Sequence, residues 1–97
     1  MSAIMISQIK VTDADAFRDY LRKTQEVAAK YQAELLFRGR MADALNGATH
    51  AHHMVVIAKF PNMETIRAWH GSPEYQALIP LREKGSEQVM VTYEEAA

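Results

Sequence analysis

The apolar positions of this chain fall into four short runs and two helical stripes. Residues 3–11 begin with Ala3-Ile4-Met5-Ile6, apolar on both faces, and alternate only from Gln8 and Lys10 onward. That pattern predicts a strand. Behind it, Phe17, Tyr20, Leu21, Thr24, Val27, Ala28 and Tyr31 recur at spacings of three and four. Arg18, Asp19, Arg22, Lys23, Glu26 and Lys30 fill the opposite face. The spacing predicts one amphipathic helix of about five turns. Thr12 stands three residues before Asp15, which resembles a capping box with Asp in place of the usual Glu or Gln.

Residues 34–40 (ELLFRGR) predict a second strand, apolar at its start and basic at its end. Residues 43–48 contain Asn46-Gly47, the clearest short-range signal of a turn. Residues 53–60 predict a third strand, apolar on both faces through its centre. Asn62 is then a good N-cap, with Glu64 in the first turn and Met63, Ile66 and Trp69 as the buried stripe. Gly71 ends that helix, and Ser72-Pro73 restarts another with Ser as the cap and Pro at the first position. Pro80 interrupts again, Gly85 closes the region, and residues 88–93 predict the last strand.

The order is β-α-β-β-α-β, the ferredoxin-like arrangement of an α+β fold with a four-stranded antiparallel sheet. Strands 1 and 3 carry the continuous apolar runs and are expected at the centre. The second strand carries Arg38 and Arg40, charges that discourage pairing at a sheet edge. Two helical regions cover one face of such a sheet, so the other should turn polar. It does not: Ile4-Met5-Ile6, Val55-Val56-Ile57 and Val89-Met90-Val91 are apolar on both sides. An apolar sheet face of that size predicts association, and two sheets packed face to face give a homodimer.

Composition narrows the class. The 97 residues are expected to form one domain, spanning 1–97. A formal charge of −1 offers no footprint for nucleic acid or an anionic membrane. The run Met54-Val55-Val56-Ile57-Ala58 is cut by Lys59, too short to span a bilayer. The first residues read straight into a strand without the features of a signal peptide, so a cytoplasmic protein is the expectation. With no cysteine, disulfides, thiol catalysis and Cys-based metal sites are excluded.

Phe60-Pro61-Asn62-Met63-Glu64, Ala68-Trp69, Ser72-Pro73-Glu74-Tyr75-Gln76-Ala77-Leu78 and Leu81-Arg82, with Phe37-Arg38-Gly39, resemble the domain of unknown function 1330 family. The resemblance covers most of the chain and implies a dimeric α+β barrel. The sequence departs from that family in places. Gln32-Ala33 stand where Gly-Gly is usual after the Tyr ending the first helix, Arg40 replaces a Gly, and His70 replaces an aromatic.

Candidate chemistry centres on residues 69–82. Trp69 and Tyr75 offer large amphipathic rings, and Arg82 a guanidinium fork that matches a carboxylate. They predict a pocket between the sheet and the second helical region that takes a small aromatic or carboxylated molecule. His52 and Arg38 complete the candidate ligand-binding set. Each residue also has a plain structural reading: core anchor, helix-end charge, loop histidine or edge-strand charge. The superfamily that the resemblance implies includes cofactor-independent monooxygenases acting on phenols, similar in placing a Trp and, six residues on, a Tyr. The Asn that those enzymes carry one turn before the Trp is Thr65 here. A non-catalytic binding or stress-response module is the other reading.

His50, His52 and His53 have no carboxylate nearby in sequence and are not expected to hold a metal. No phosphate loop, nucleophile elbow or paired-carboxylate spacing is present, and no cofactor is expected. The six methionines read as core filler.

Overall fold

The computed structural model describes residues 1–96. Its elements are β1 (Ala3–Val11), α1 (Ala14–Ala29), β2 (Glu34–Arg40), β3 (Met54–Phe60), α2 (Met63–Gly71), α3 (Pro73–Gln76), α4 (Ile79–Gly85) and β4 (Ser86–Glu94). The strands form one antiparallel sheet in the order β2-β3-β1-β4. The two apolar strands are central, each hydrogen-bonded to a neighbour on both sides, and the arginine-bearing β2 is an edge.

Cross-strand registry sorts the side chains into two faces. On the helix side run the rows Leu35–Ala58–Met5–Thr92, Arg38–Val56–Ser7–Met90 and Arg40–Met54–Ile9–Gln88. On the far side run Lys59–Ile4–Tyr93, Phe37–Ile57–Ile6–Val91 and Gly39–Val55–Gln8–Val89. The far side is apolar in its middle row and bears no element of this chain, and Phe37 there is 56% exposed.

A bulge at Leu36 decides which residues of β2 face which way. Leu35 pairs with Ala58 and Phe37 with the adjacent Ile57, so the extra residue reverses the alternation between them. Without it Phe37 would face the helices and Arg38 the open side. With it, Phe37 joins the open-face row and Arg38 turns under α1. The Phe37 ring lies over Gly39: a Cβ at Gly39 would stand 2.6 Å from the ring.

The helices begin and end for local reasons. Asp13, not Thr12, caps α1 by accepting from the Ala16 amide at 3.1 Å. Asp is as good a cap as Thr, and its register lets the Thr12 and Asp13 amides donate to the Gly85 carbonyl. The helix stops at Ala29, short of Tyr31. Gln32 then turns the chain with φ 62°, a left-handed conformation that favours glycine. Asn62 caps α2, accepting from the Thr65 amide at 2.8 Å. Ser72 serves two helices: its hydroxyl donates to the Trp69 carbonyl at 2.8 Å and accepts from the Tyr75 amide at 3.1 Å.

α1 lies chiefly along α4. The approach is close enough to need Gly85, where a Cβ would stand 2.5 Å from the Phe17 backbone nitrogen. The core between helices and sheet holds Met5, Ile9, Phe17, Tyr20, Phe60, Ile66, Trp69 and Tyr75. Leaning on α4, α1 leaves space above β1, β3 and β2.

Candidate functional site

That space is a cavity of about 320 Å³. The Arg38–Val56–Ser7–Met90 row crosses its floor, with Met5, Ala58 and Leu35 beside it. Its roof is the underside of α1, through Tyr20, Leu21, Thr24, Gln25 and Ala28. Phe60 and Trp69 lie on its wall. A volume of this size suits a small organic molecule, and the wall has the usual makeup of a ligand site, mostly apolar with a few polar groups.

Two of those polar groups are unusual. Among the described residues, the Trp69 indole Nε1–H and the Thr24 hydroxyl are the buried side-chain polar atoms without a hydrogen-bond partner. Trp69 is only 3% exposed. A buried donor left unpaired costs about 1–3 kcal/mol. Ser7 and Gln88 on the same floor are satisfied: Ser7 donates to Gln88 Oε1 at 2.9 Å, and Gln88 Nε2 donates to the Ser86 hydroxyl at 2.9 Å.

Behind the cavity wall runs a hydrogen-bonded chain. The Tyr20 and Tyr75 hydroxyls are 2.8 Å apart, and Arg82 Nη1 donates to the Tyr75 hydroxyl at 3.0 Å. Tyr75 is fully buried, with its ring 4.6 Å from Trp69 between centroids. Burial, reinforced by Tyr75, pushes the Tyr20 phenol far above its usual pKa and keeps it protonated. Burial works against the Arg82 charge, but Glu83 and the Tyr75 hydroxyl outweigh it and hold its pKa above the ordinary value. Arg82 Nη2 donates to Glu83 at 2.7 Å, so both ends of the fork are engaged.

The five residues singled out by sequence therefore separate. Trp69 and Arg38 share the cavity wall. Tyr75 and Arg82 are not on it and form the chain behind it. His52 lies in the 41–53 connection, where its backbone amide donates to His50 Nδ1 at 3.2 Å, and does not line the cavity. Trp69 and Tyr75 do converge across the Ser72 break. The space itself, however, lies mainly under α1 rather than under the second helical region. Sequence reasoning did not single out Tyr20 or Thr24 as site residues. Their signal was a pair of hydroxyls, one turn apart, on a stripe otherwise apolar. Among the described residues, no group of three or more His, Asp or Glu is placed to hold a metal ion. None of the described helices is long and apolar enough to cross a membrane.

The sequence profile of a domain of unknown function, DUF1330, matches residues 2–96. The chain belongs to the DUF1330 family. No curated protein matches this DUF1330 chain by sequence. Among solved structures it is similar to a protein of unknown function from Rhodopseudomonas palustris, RPA0582. The TM-score is 0.80 at 16% identity, covering 99% of this chain and 83% of that one. It is similar also to SnoaB, a cofactor-independent oxygenase from Streptomyces nogalater, at TM-score 0.72 and 11% identity, covering 99% and 94%. A third is a dimeric ferredoxin-like protein of unknown function from Thermobifida fusca, at TM-score 0.62 and 18% identity, covering 98% and 92%. At these identities the likeness speaks for the ferredoxin-like fold that the DUF1330 chain adopts.

Proposed function

We propose that this DUF1330 protein is a homodimer that binds a small, partly aromatic or carboxylated molecule in the cavity beneath α1 of each subunit. The observation that carries the reading is one largely apolar cavity of about 320 Å³ whose lining includes the rings of Tyr20, Phe60 and Trp69 beside a few polar side chains. Apolar burial supplies the affinity, and the few polar groups orient the ligand. Tyr75 and Arg82 take a supporting role: they fix the Tyr20 and Trp69 rings from behind.

The dimer half of the reading rests on the open sheet face. Its central row, Phe37–Ile57–Ile6–Val91, is a continuous apolar band, and a second copy of the same face is the natural cover. The Thermobifida fusca protein, described as dimeric, favours the same arrangement.

An oxygenase reading draws on the fold likeness to SnoaB. Thr65, in the place where the resemblance leads one to expect an Asn, spends its hydroxyl on the α2 cap, donating to Asn62 Oδ1 at 2.7 Å. Binding is therefore the stronger reading.

The test is native mass spectrometry joined to fluorescence titration. The first should give a dimer mass and reveal any retained small molecule. Trp69 is the sole tryptophan, so its emission reports directly on the cavity when aromatic and carboxylated metabolites are added. A stable monomer would remove the assembly. A panel that leaves the emission unchanged, with no retained molecule, would remove the binding site.

A further inference from the structure

The cavity beneath α1 opens toward a shallow groove lined by Arg18, Arg22 and Arg38, and the two spaces share Leu21, Gln25 and Arg38. The three arginines are not equivalent. Arg18 contacts Asp15 at 3.4 Å and Arg22 contacts Asp19 at 2.6 Å, each pair on α1 itself. Lys23 adds a second contact to Asp19 at 3.3 Å. Among the described residues Arg38 has no carboxylate partner; the β2 bulge turns it, together with Arg40, from the open face to the helix side, and of the two Arg38 lines the cavity. Arg82, the other arginine in the region, has its donors occupied by Tyr75 and Glu83 and does not reach the cavity.

We infer that the ligand is an apolar-bodied carboxylate, its body in the cavity beside Trp69 and its charged end at the mouth on Arg38. The inference rests on the binding reading above and narrows it. An arginine with a free planar fork presents two parallel donors to a carboxylate, and a groove of further arginines raises the local concentration of anions. The same space is lined by the rings of Phe60 and Trp69, so the ligand class is a flat or ring-bearing acid. The bulge supports this assignment independently of charge. Bulges commonly re-aim side chains toward a site, and here one of the re-aimed side chains is Arg38 on the cavity wall.

A matched pair of probes tests it: 2-naphthoate and its neutral isostere 2-naphthamide, titrated calorimetrically into the full chain and into Arg38→Gln and Arg38→Lys. The expected result is that the parent binds the acid about tenfold more tightly than the amide. Arg38→Gln should abolish the preference, so that acid and amide bind alike, and Arg38→Lys should restore part of it. Melting curves should show that both variants fold like the parent, since Arg38 is exposed. If the parent binds acid and amide alike, or Arg38→Gln keeps the parent's preference, the carboxylate assignment falls and the cavity reading stands. If neither probe binds the parent, both readings fall together.

Discussion

The two faces of the sheet carry similar amounts of apolar side chain and use it in opposite ways. Toward the helices, Met5, Ile9, Phe60 and their neighbours are buried within the chain, yet α1 leans on α4 and leaves a hollow above the floor. On the far side, Phe37, Val89, Val91 and Tyr93 are among the exposed large hydrophobics, and no element among the described residues covers them. One face is closed and underfilled, the other filled with side chains and uncovered. The contrast teaches that burial alone does not locate function. The hollow marks a place for something small, and the flat apolar band a place for another folded surface.

The largest expected effect comes from breaking the open face. Ile57→Asp puts a carboxylate in the middle of the Phe37–Ile57–Ile6–Val91 row. If a second copy covers that row, the buried charge abolishes assembly, and sedimentation equilibrium should find monomer or unfolded chain. A parent-like dimer carrying Asp at this position would mean that the face is not the interface.

The next effect probes the chain of hydroxyls behind the hollow. Tyr75→Phe keeps the ring against Trp69 but leaves the Tyr20 hydroxyl and Arg82 Nη1 short of a partner. Chemical denaturation should show a loss of about 1–3 kcal/mol. An unchanged midpoint would mean that these groups find other partners.

Filling the hollow should work in the other direction. Ala28→Leu extends from the roof into the cavity, and cavity filling commonly stabilises by about 0.5–2 kcal/mol. Its melting temperature should rise while the response of Trp69 fluorescence to ligand is lost. A destabilised variant would show that the hollow is too shallow or too rigid for the extra carbons.

The smallest effect is at the hinge beside the cavity. Gln32 holds φ 62°, and Gln32→Gly should remove strain and gain up to about 1 kcal/mol by urea denaturation. The same change loosens the unfolded chain, so a null result would place the two contributions in balance.

The sequence was most informative where periodicity and capping decide. β1 and β2 lie where the apolar runs put them, and Asn62 and Ser72 are the caps their residue types suggest. The first helix cap moved one residue, from Thr12 to Asp13, because two adjacent good cap residues compete and the Gly85 carbonyl fixes the register. The ends of the last strand also moved: β4 begins at Ser86, whose hydroxyl donates to the Arg82 carbonyl and seats the strand directly against α4. The site was harder to read. Local pattern placed Trp69 and Tyr75 together. Arg38 stood in the candidate ligand-binding set, but what turns it toward the cavity was not legible, since a one-residue bulge has no composition signal in Leu35-Leu36-Phe37. Nor does any local rule say that α1 leans on α4 and away from the sheet, which is what creates the hollow.

The pairing of the first strand with the last has a consequence for how the molecule is made. Ala3 lies opposite Glu94, and the Glu95 amide donates to the Ser2 carbonyl at 2.9 Å. β1 therefore emerges from the ribosome long before the strand that completes its outer side. Until β4 arrives, β1 and β3 can pair through the intermediate chain, but one edge of β1 stays bare and the helix layer cannot lock through α4. A growing chain thus exposes a sticky edge until β4 is made, and the β1–β4 pairing closes the longest loop within the sheet. Ribosome-bound fragments truncated before residue 86 should be protease-sensitive and prone to aggregate, a cost of pairing β1 with a strand so distant along the chain.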